Sequence, residues 1–200
     1  MLSEIENVLR REGYGQYMVL KLYIDNPDDV KLTSMYKEHI SKHIRKLLDT
    51  PKYIDAGFDV LVPELYSFVN TDISQVKIDF GIKCEAYLVH LDSSVYGGHH
   101  TGFYMYPRSS LSKTPLRLAN CVGIIDSGYR GNLIGIFDKS NTLVNSYENV
   151  NQVKKGERLV QICAPGLVPI VPILVDEMDT NTSRGEGGFG STGKWNDWYK

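Results

Sequence analysis

The 200-residue chain carries almost no net charge: 22 lysines and arginines stand against 24 aspartates and glutamates, a formal −2. Without a basic field nothing steers it onto nucleic acid, so no direct nucleic-acid binding is expected, and any anionic ligand must be held by local donors. Cysteine is scarce. Cys84, Cys121 and Cys163 are odd in number and lack metal-ligand spacing, so they read as small core hydrophobes in a reducing compartment. No long hydrophobic run is present: residues 167–175 make about half a membrane span and are broken by Pro169 and Pro172, which excludes a membrane helix. The first six residues have neither the basic nor the apolar region of a secretory leader, so an intracellular location is expected. No internal repeat, nucleophile elbow or paired catalytic cysteine is found.

What is there describes one globular domain: 42% hydrophobic and 23% charged residues, in a chain long enough to bury about 70% of its extended surface. Residues 3–12 have helical character, with Ser3 and Glu6 at capping-box spacing and Gly13 as a stop. Residues 17–24 alternate as a strand with Met18, Leu20, Leu22 and Ile24 on one side. After the turn at residues 26–29, Leu32, Tyr36, Ile40, Ile44 and Leu47 recur at helical spacing up to Pro51, an amphipathic helix over 31–48. His39 and His43 share that helix. Their spacing could hold zinc, but no glutamate or third ligand accompanies them, and a solvated helix face is expected. Short apolar segments then follow at 58–62, 76–80, 82–91, 103–106, 122–125, 133–137, 159–163 and 170–175, punctuated by Gly, Pro, Asn and Asp. That texture predicts an all-β sandwich or jelly roll. Residues 92–101, with His99 and His100, read as a surface loop. Beyond residue 175 comes a polar stretch and then five glycines within residues 185–193.

The chemistry gathers around residues 120–131, Asn-Cys-Val-Gly-Ile-Ile-Asp-Ser-Gly-Tyr-Arg-Gly. An acid, Asp126, and a tyrosine, Tyr129, stand three apart on what reads as a tight hairpin between two apolar strands. Alone, this is equally an ordinary hairpin with an Asx turn. Two Gly-rich matches in the tail are decoys: Gly185 to Gly190 fits a dinucleotide fingerprint and Gly188 to Lys194 most of a phosphate loop, but no helix can follow either. What they share is backbone N–H groups able to approach phosphate oxygens, with Arg184, Ser191, Thr192 and Lys194 as added donors. Three further segments carry arranged polar groups. Ala56-Gly-Phe-Asp59-Val starts a strand with an acid. Pro107-Arg108-Ser109-Ser110-Leu111 follows a strand with an arginine and hydroxyls, a usual place for phosphate contact. Gly156-Glu-Arg-Leu-Val-Gln161 opens a strand with a glutamine.

Together these five segments, in this order and ending in Arg184-Gly-Glu-Gly-Gly-Phe189-Gly-Ser-Thr-Gly193, resemble the five motifs of the trimeric dUTP pyrophosphatase (dUTPase) family. The resemblance covers residues 53–193 and the strand at 17–24. It implies an all-β fold, a distorted jelly-roll or β-clip barrel, here with an inserted N-terminal amphipathic helix. Residues 1–200 form a single domain, with a core at 14–176 and a Gly-rich C-terminal arm at 177–200. It implies hydrolysis of dUTP to dUMP and pyrophosphate, which limits uracil in DNA. Asp126 would be the general base activating a water against the α-phosphorus. Tyr129 would pack under the deoxyribose and exclude a 2′-hydroxyl, while Asn120 and the backbone of Gly123 and Ile125 meet the polar edge of uracil. Arg108, Ser109, Ser110 and Gln161 would hold phosphates, and Asp59 would orient Mg²⁺ through coordinated water. Phe189 would cover the uracil, with Gly190, Arg184, Ser191 and Thr192 on the terminal phosphates. The implied assembly is a homotrimer with shared active sites, the tail of one chain completing the hairpin of another because it has nothing to order it in its own.

Two departures stand out: Ser110 where the family often has glycine, and added segments at 31–48 and near 96–101. Two alternatives compete. The dCTP deaminase branch of the same fold needs a glutamate after the hairpin, and residues 132–137 contain no carboxylate. A non-catalytic nucleotide-binding or interaction protein would have no need of a water-activating base.

Overall fold

The computed structural model describes residues 2–67, 74–91, 97–139 and 152–187. Helix α1 (Leu2–Arg11) buries Ile5 and Leu9, and strand β1 (Gln16–Ile24) follows the turn at Gly13. Asp29 caps helix α2 (Val30–Asp49), its carboxylate accepting from Leu32 N at 2.8 Å, which satisfies one of the orphan donors at a helix start. Then come β2 (Gly57–Asp59), β3 (Tyr66–Ser67), β4 (Gln75–Asp79), β5 (Ile82–His90), β6 (Gly98–Thr101) and β7 (Phe103–Pro107). A 3₁₀ turn (Ser109–Lys113) leads to β8 (Leu116–Leu118), β9 (Gly123–Ile125), β10 (Ile134–Lys139), β11 (Gln152–Val153), β12 (Val160–Cys163) and β13 (Ile170–Leu174).

The fold is mostly β and jelly-roll-like, with no closed barrel among the described residues. Its sheets run β13-β1-β5-β6, β2-β12-β7-β9, β4-β10-β8 and β11-β3. One core joins them: Met18, Leu20 and Leu22 of β1 meet Phe58, Ile78, Met105, Phe137 and Ile162 from the other sheets. Alternation on β1 produces this, because period-2 side chains send every second residue to the same face. Helix α2 spans two clusters. Leu32 and Tyr36 enter the main core, while Ile44 and Leu47 join Ile5, Leu9 and Tyr17 in a second one under α1.

Four expectations change. Residues 98–101 are not loop but strand β6, paired with β5 through Leu88↔His99 and Tyr87↔His100; residues 92–96 lie outside the described residues. His39 and His43 do not face solvent: each ring hydrogen-bonds a carbonyl, of Asp59 and Ile170 respectively at 3.0 Å, and both lie against Phe58. Cys121 is exposed, unlike the buried Cys84 and Cys163, at a position with φ of 59°. Finally, the strands flanking Asp126 do not pair with each other. β9 pairs with β7, whereas β10 pairs with β4 and β8. The hairpin is the wider β8–β10 pair, and residues 119–133 make an excursion from it into another sheet.

Candidate active site

Asp126 follows the end of β9, and the turn from it to Gly131 is fixed by a few contacts. Tyr129 N donates to Asp126 O at 3.0 Å, closing the turn. The Tyr129 hydroxyl donates to Asn132 O at 2.9 Å, and its ring lies across Gly131, where a Cβ would fall 2.5 Å from that hydroxyl. Only glycine leaves room for the ring there. Burial, together with the carboxylates of Asp79 and Glu186, pushes the Tyr129 phenol above its ordinary pKa, so it stays a neutral donor. Arg130 is 3% exposed. Its guanidinium donates to the carbonyls of Asp179, Ser127 and Tyr129 at 2.7, 2.9 and 3.0 Å, and its backbone N donates to Gly185 O at 2.8 Å.

These contacts shape a cavity of about 230 Å³ lined by Asn120, Gly123, Ile125, Asp126, Tyr129, Asn132 and Arg184, among others. Six residues singled out from sequence therefore converge on one cavity. Asp126 keeps 60% of its side chain exposed and pairs with Arg184, whose Nε lies 3.1 Å from Oδ2. That N–H is not aimed at the carboxylate and is left, buried, without an acceptor. The amide oxygen Oδ1 of Asn132 is likewise buried without a donor. Each marks a polar group that a ligand in the cavity could satisfy.

A second cluster forms at the other end of the same sheet. Arg108 Nε sits 2.6 Å from Asp59 Oδ1, and Arg158 Nη1 donates to Asp59 Oδ2 at 3.0 Å. Arg108 also reaches Ser110 Oγ at 3.2 Å, and Arg108, Ser110, Gly156 and Arg158 line a recess of about 420 Å³. Ser109 is exposed at the start of the 3₁₀ turn. Gln161 pairs with Asp59 across the β2–β12 ladder, and its side chain lies over Gly57, where a Cβ would collide with the amide.

The register separates the two clusters. Ile125 stands opposite Phe103 at the start of β7, while Arg108 follows the end of β7 and Asp59 lies level with Tyr106 through Gln161. Five residues of extended chain put about 17 Å between them.

The dUTPase family profile matches residues 46–193. The chain belongs to the dUTPase family. The deoxyuridine 5′-triphosphate nucleotidohydrolase of Gloeothece citriformis is 31% identical over 77% of this chain and 95% of its own. That of Paraburkholderia phymatum is 33% identical over 76% and 80%. A mutant dUTPase of Staphylococcus bacteriophage 80alpha, solved with dUpNHpp, aligns over 70% of this chain and 87% of its own, at 22% identity and a TM-score of 0.39. Helix α1, strand β1 and most of α2 lie outside the span of the dUTPase profile.

Mg²⁺ was expected at Asp59 through water. Both Asp59 oxygens instead face guanidinium groups, and the side chain is only 15% exposed. Two cations on one carboxylate let it aim both arginines. Among the described residues no cluster of three or more His, Cys, Asp or Glu side chains suits a metal. Phe189, Gly190, Ser191 and Thr192 lie outside the described residues. Sequence reasoning missed Arg130, Asn132 and Lys83. The signal for Arg130 was available: a long cation inside a Gly-rich turn has backbone carbonyls as ready acceptors.

Proposed function

We propose that this protein hydrolyses dUTP to dUMP and pyrophosphate, with Asp126 as the general base. The observation that carries this is the convergence of Asn120, Gly123, Ile125, Asp126, Tyr129 and Arg184 on one cavity. In a family member, that constellation supplies a base-recognition edge, a sugar platform and a carboxylate with exposed oxygens. The backbone of Gly123 and Ile125 and the amide of Asn120 meet the polar edge of uracil. Cytosine presents the opposite donor pattern and would leave buried groups unpaired, which discriminates more strongly than a misfit methylene. Thymine is excluded by its methyl group, and a ribose by the Tyr129 ring beneath the sugar. Asp126 takes a proton from water as that water attacks the α-phosphorus. Arg184, whose Nε–H lacks an acceptor, turns to the phosphates and releases the Asp126 carboxylate for this task.

Arg108, aimed by Asp59, holds phosphate oxygens together with Ser109, Ser110 and Gln161. Along the sheet of one chain the backbone near Asp126 and that of Arg108 lie about 17 Å apart, a long span for one triphosphate. The phosphate cluster therefore serves the Asp126 cavity of a neighbouring copy, in keeping with the homotrimer implied by the resemblance. Ile124, 73% exposed on the edge strand β9 beside the cavity, is a natural contact for that neighbour. Mg²⁺ remains an implied cofactor, and no step here passes through it.

The test is a panel of the four dNTPs, dUTP and UTP with Mg²⁺, reading pyrophosphate and ammonia. Pyrophosphate from dUTP alone is the expected result. Ammonia from dCTP, or no turnover of dUTP, would overturn the proposal.

A further inference from the structure

We infer that helix α2 is a brace for the phosphate cluster, and that its His39 is a positioning residue acting through Asp59 on Arg108 and Arg158. The inference rests on the proposed function for its ligand, the polyphosphate of a nucleotide. Most of α2 lies outside the residues that the dUTPase profile matches, so the brace is an addition to the family motifs. Strand β2 is where it is needed. That strand has three residues and lies at the edge of its sheet, laddered on one side only, to β12, among the described residues. An edge strand leaves a row of N–H and C=O groups unpaired. Val60 N donates to Val160 O at 3.0 Å on the β12 side, and alternation turns Asp59 and Leu61 to the open edge. There α2 stands in for a missing strand. His39 Nε2 donates to Asp59 O, and the Tyr36 hydroxyl accepts from Leu61 N, both at 3.0 Å. A carbonyl can only accept, so the His39 proton sits on Nε2.

Both histidine rings also lie against Phe58, the His39 centroid at 4.6 Å and the His43 centroid at 5.3 Å. Tyr36, His39 and His43 act together because spacings of three and four put them on one helix face. The same helix reaches the loop that carries Gly156 and Arg158, which line the recess beside Arg108. Asp29, the cap of α2, pairs with Lys155 at 3.2 Å. Met35 packs over Gly156, where a Cβ would fall 2.6 Å from its methyl carbon. Arg158 follows two residues later, and its guanidinium meets that of Arg108 on the two oxygens of Asp59. One helix thus fixes both the carboxylate that aims the arginines and the loop that supplies one of them.

Inorganic pyrophosphate, titrated calorimetrically into the full chain, tests the brace without using turnover. His39→Phe keeps a ring against Phe58 but loses the donor, whereas His39→Gln keeps an N–H at similar reach. His43→Phe makes the equivalent loss at the Ile170 carbonyl of β13, and so reports what loosening α2 does without touching Asp59. His39→Phe should weaken pyrophosphate binding about tenfold, the scale of one lost hydrogen bond, and raise KM for dUTP more than it lowers kcat. His39→Gln and His43→Phe should each stay within about twofold of the parent. Parent-level binding by His39→Phe, an equal loss in His43→Phe, no rescue in His39→Gln, or no pyrophosphate binding by the unmodified chain would overturn the inference. The expected order of pyrophosphate binding in a protein that leaves dUTP intact would sink the proposed function alone, leaving the brace standing.

Discussion

Asp126 and Arg184 face each other across 3.1 Å with the arginine N–H aimed elsewhere, so the carboxylate is held near a cation yet keeps its lone pairs open to water. A base in that state can be removed without emptying the cavity. Asp126→Asn should lower turnover by about 10²–10⁴-fold while a non-hydrolysable dUTP analogue still binds, as read by calorimetry. Turnover near the parent rate would show that another group takes the proton. Tyr36 makes a separate point at this scale. It is fully buried, its hydroxyl accepts from Leu61 N at 3.0 Å, and burial pushes the phenol far above its ordinary pKa. Tyr36→Phe leaves that N–H buried and unpaired, and should cost about 1–3 kcal/mol in denaturant unfolding. Asp126, Tyr129, Asn120 and Arg184 were legible from sequence because their chemistry is tied to residue type and spacing. The distant partners of Arg130 were not, because nothing in a Gly-Tyr-Arg-Gly stretch states that 179 and 185 pack above it.

Helix α2 ties the chain's amino-terminal part to the β-sheets, and two of its histidines do so through carbonyls. Burial holds the His43 pKa below its ordinary 6.5, and the Ile170 carbonyl only partly offsets this. The folded chain thus binds fewer protons than the unfolded chain once the pH falls below about 6.5, so stability declines with falling pH in that window. His43→Gln should flatten the stability–pH curve between about pH 7 and 5 relative to the parent, measured by urea midpoints. An unchanged slope would mean the ring charges freely in the fold. On the same helix, Leu47 is 2% exposed in the second cluster, and Leu47→Ala should cost about 2–5 kcal/mol. Both helices and nine of the thirteen strands among the described residues were legible because apolar spacing records which face is buried. Strands β3, β6, β8 and β11 were not, being short or polar, with burial patterns such as Gly98, His99, His100 and Thr101 that carry no period. Nor was the pairing of β9 with β7 instead of β10, since ladder partners are chosen by non-local packing that adjacent residues do not encode.

The whole molecule holds two half-sites at opposite ends of one sheet: Asp126, Tyr129 and Arg184 at one, Arg108, Arg158 and Asp59 at the other. The β7–β9 ladder sets their spacing, with Ile125 opposite Phe103 and Arg108 just past the other end of β7. With that separation, the proposed chemistry has one copy's base serve phosphates gripped by another. Two chains, each inactive, should then repair each other. Asp126→Asn and Arg108→Ala chains are refolded together at equal amounts, and pyrophosphate release from dUTP with Mg²⁺ is measured against each variant alone. Random assembly in a cyclic trimer should restore about one quarter of the parent activity, since one quarter of sites draw both intact halves. Activity that remains at the level of the single variants, from a mixture shown by sizing to be assembled, would contradict the account.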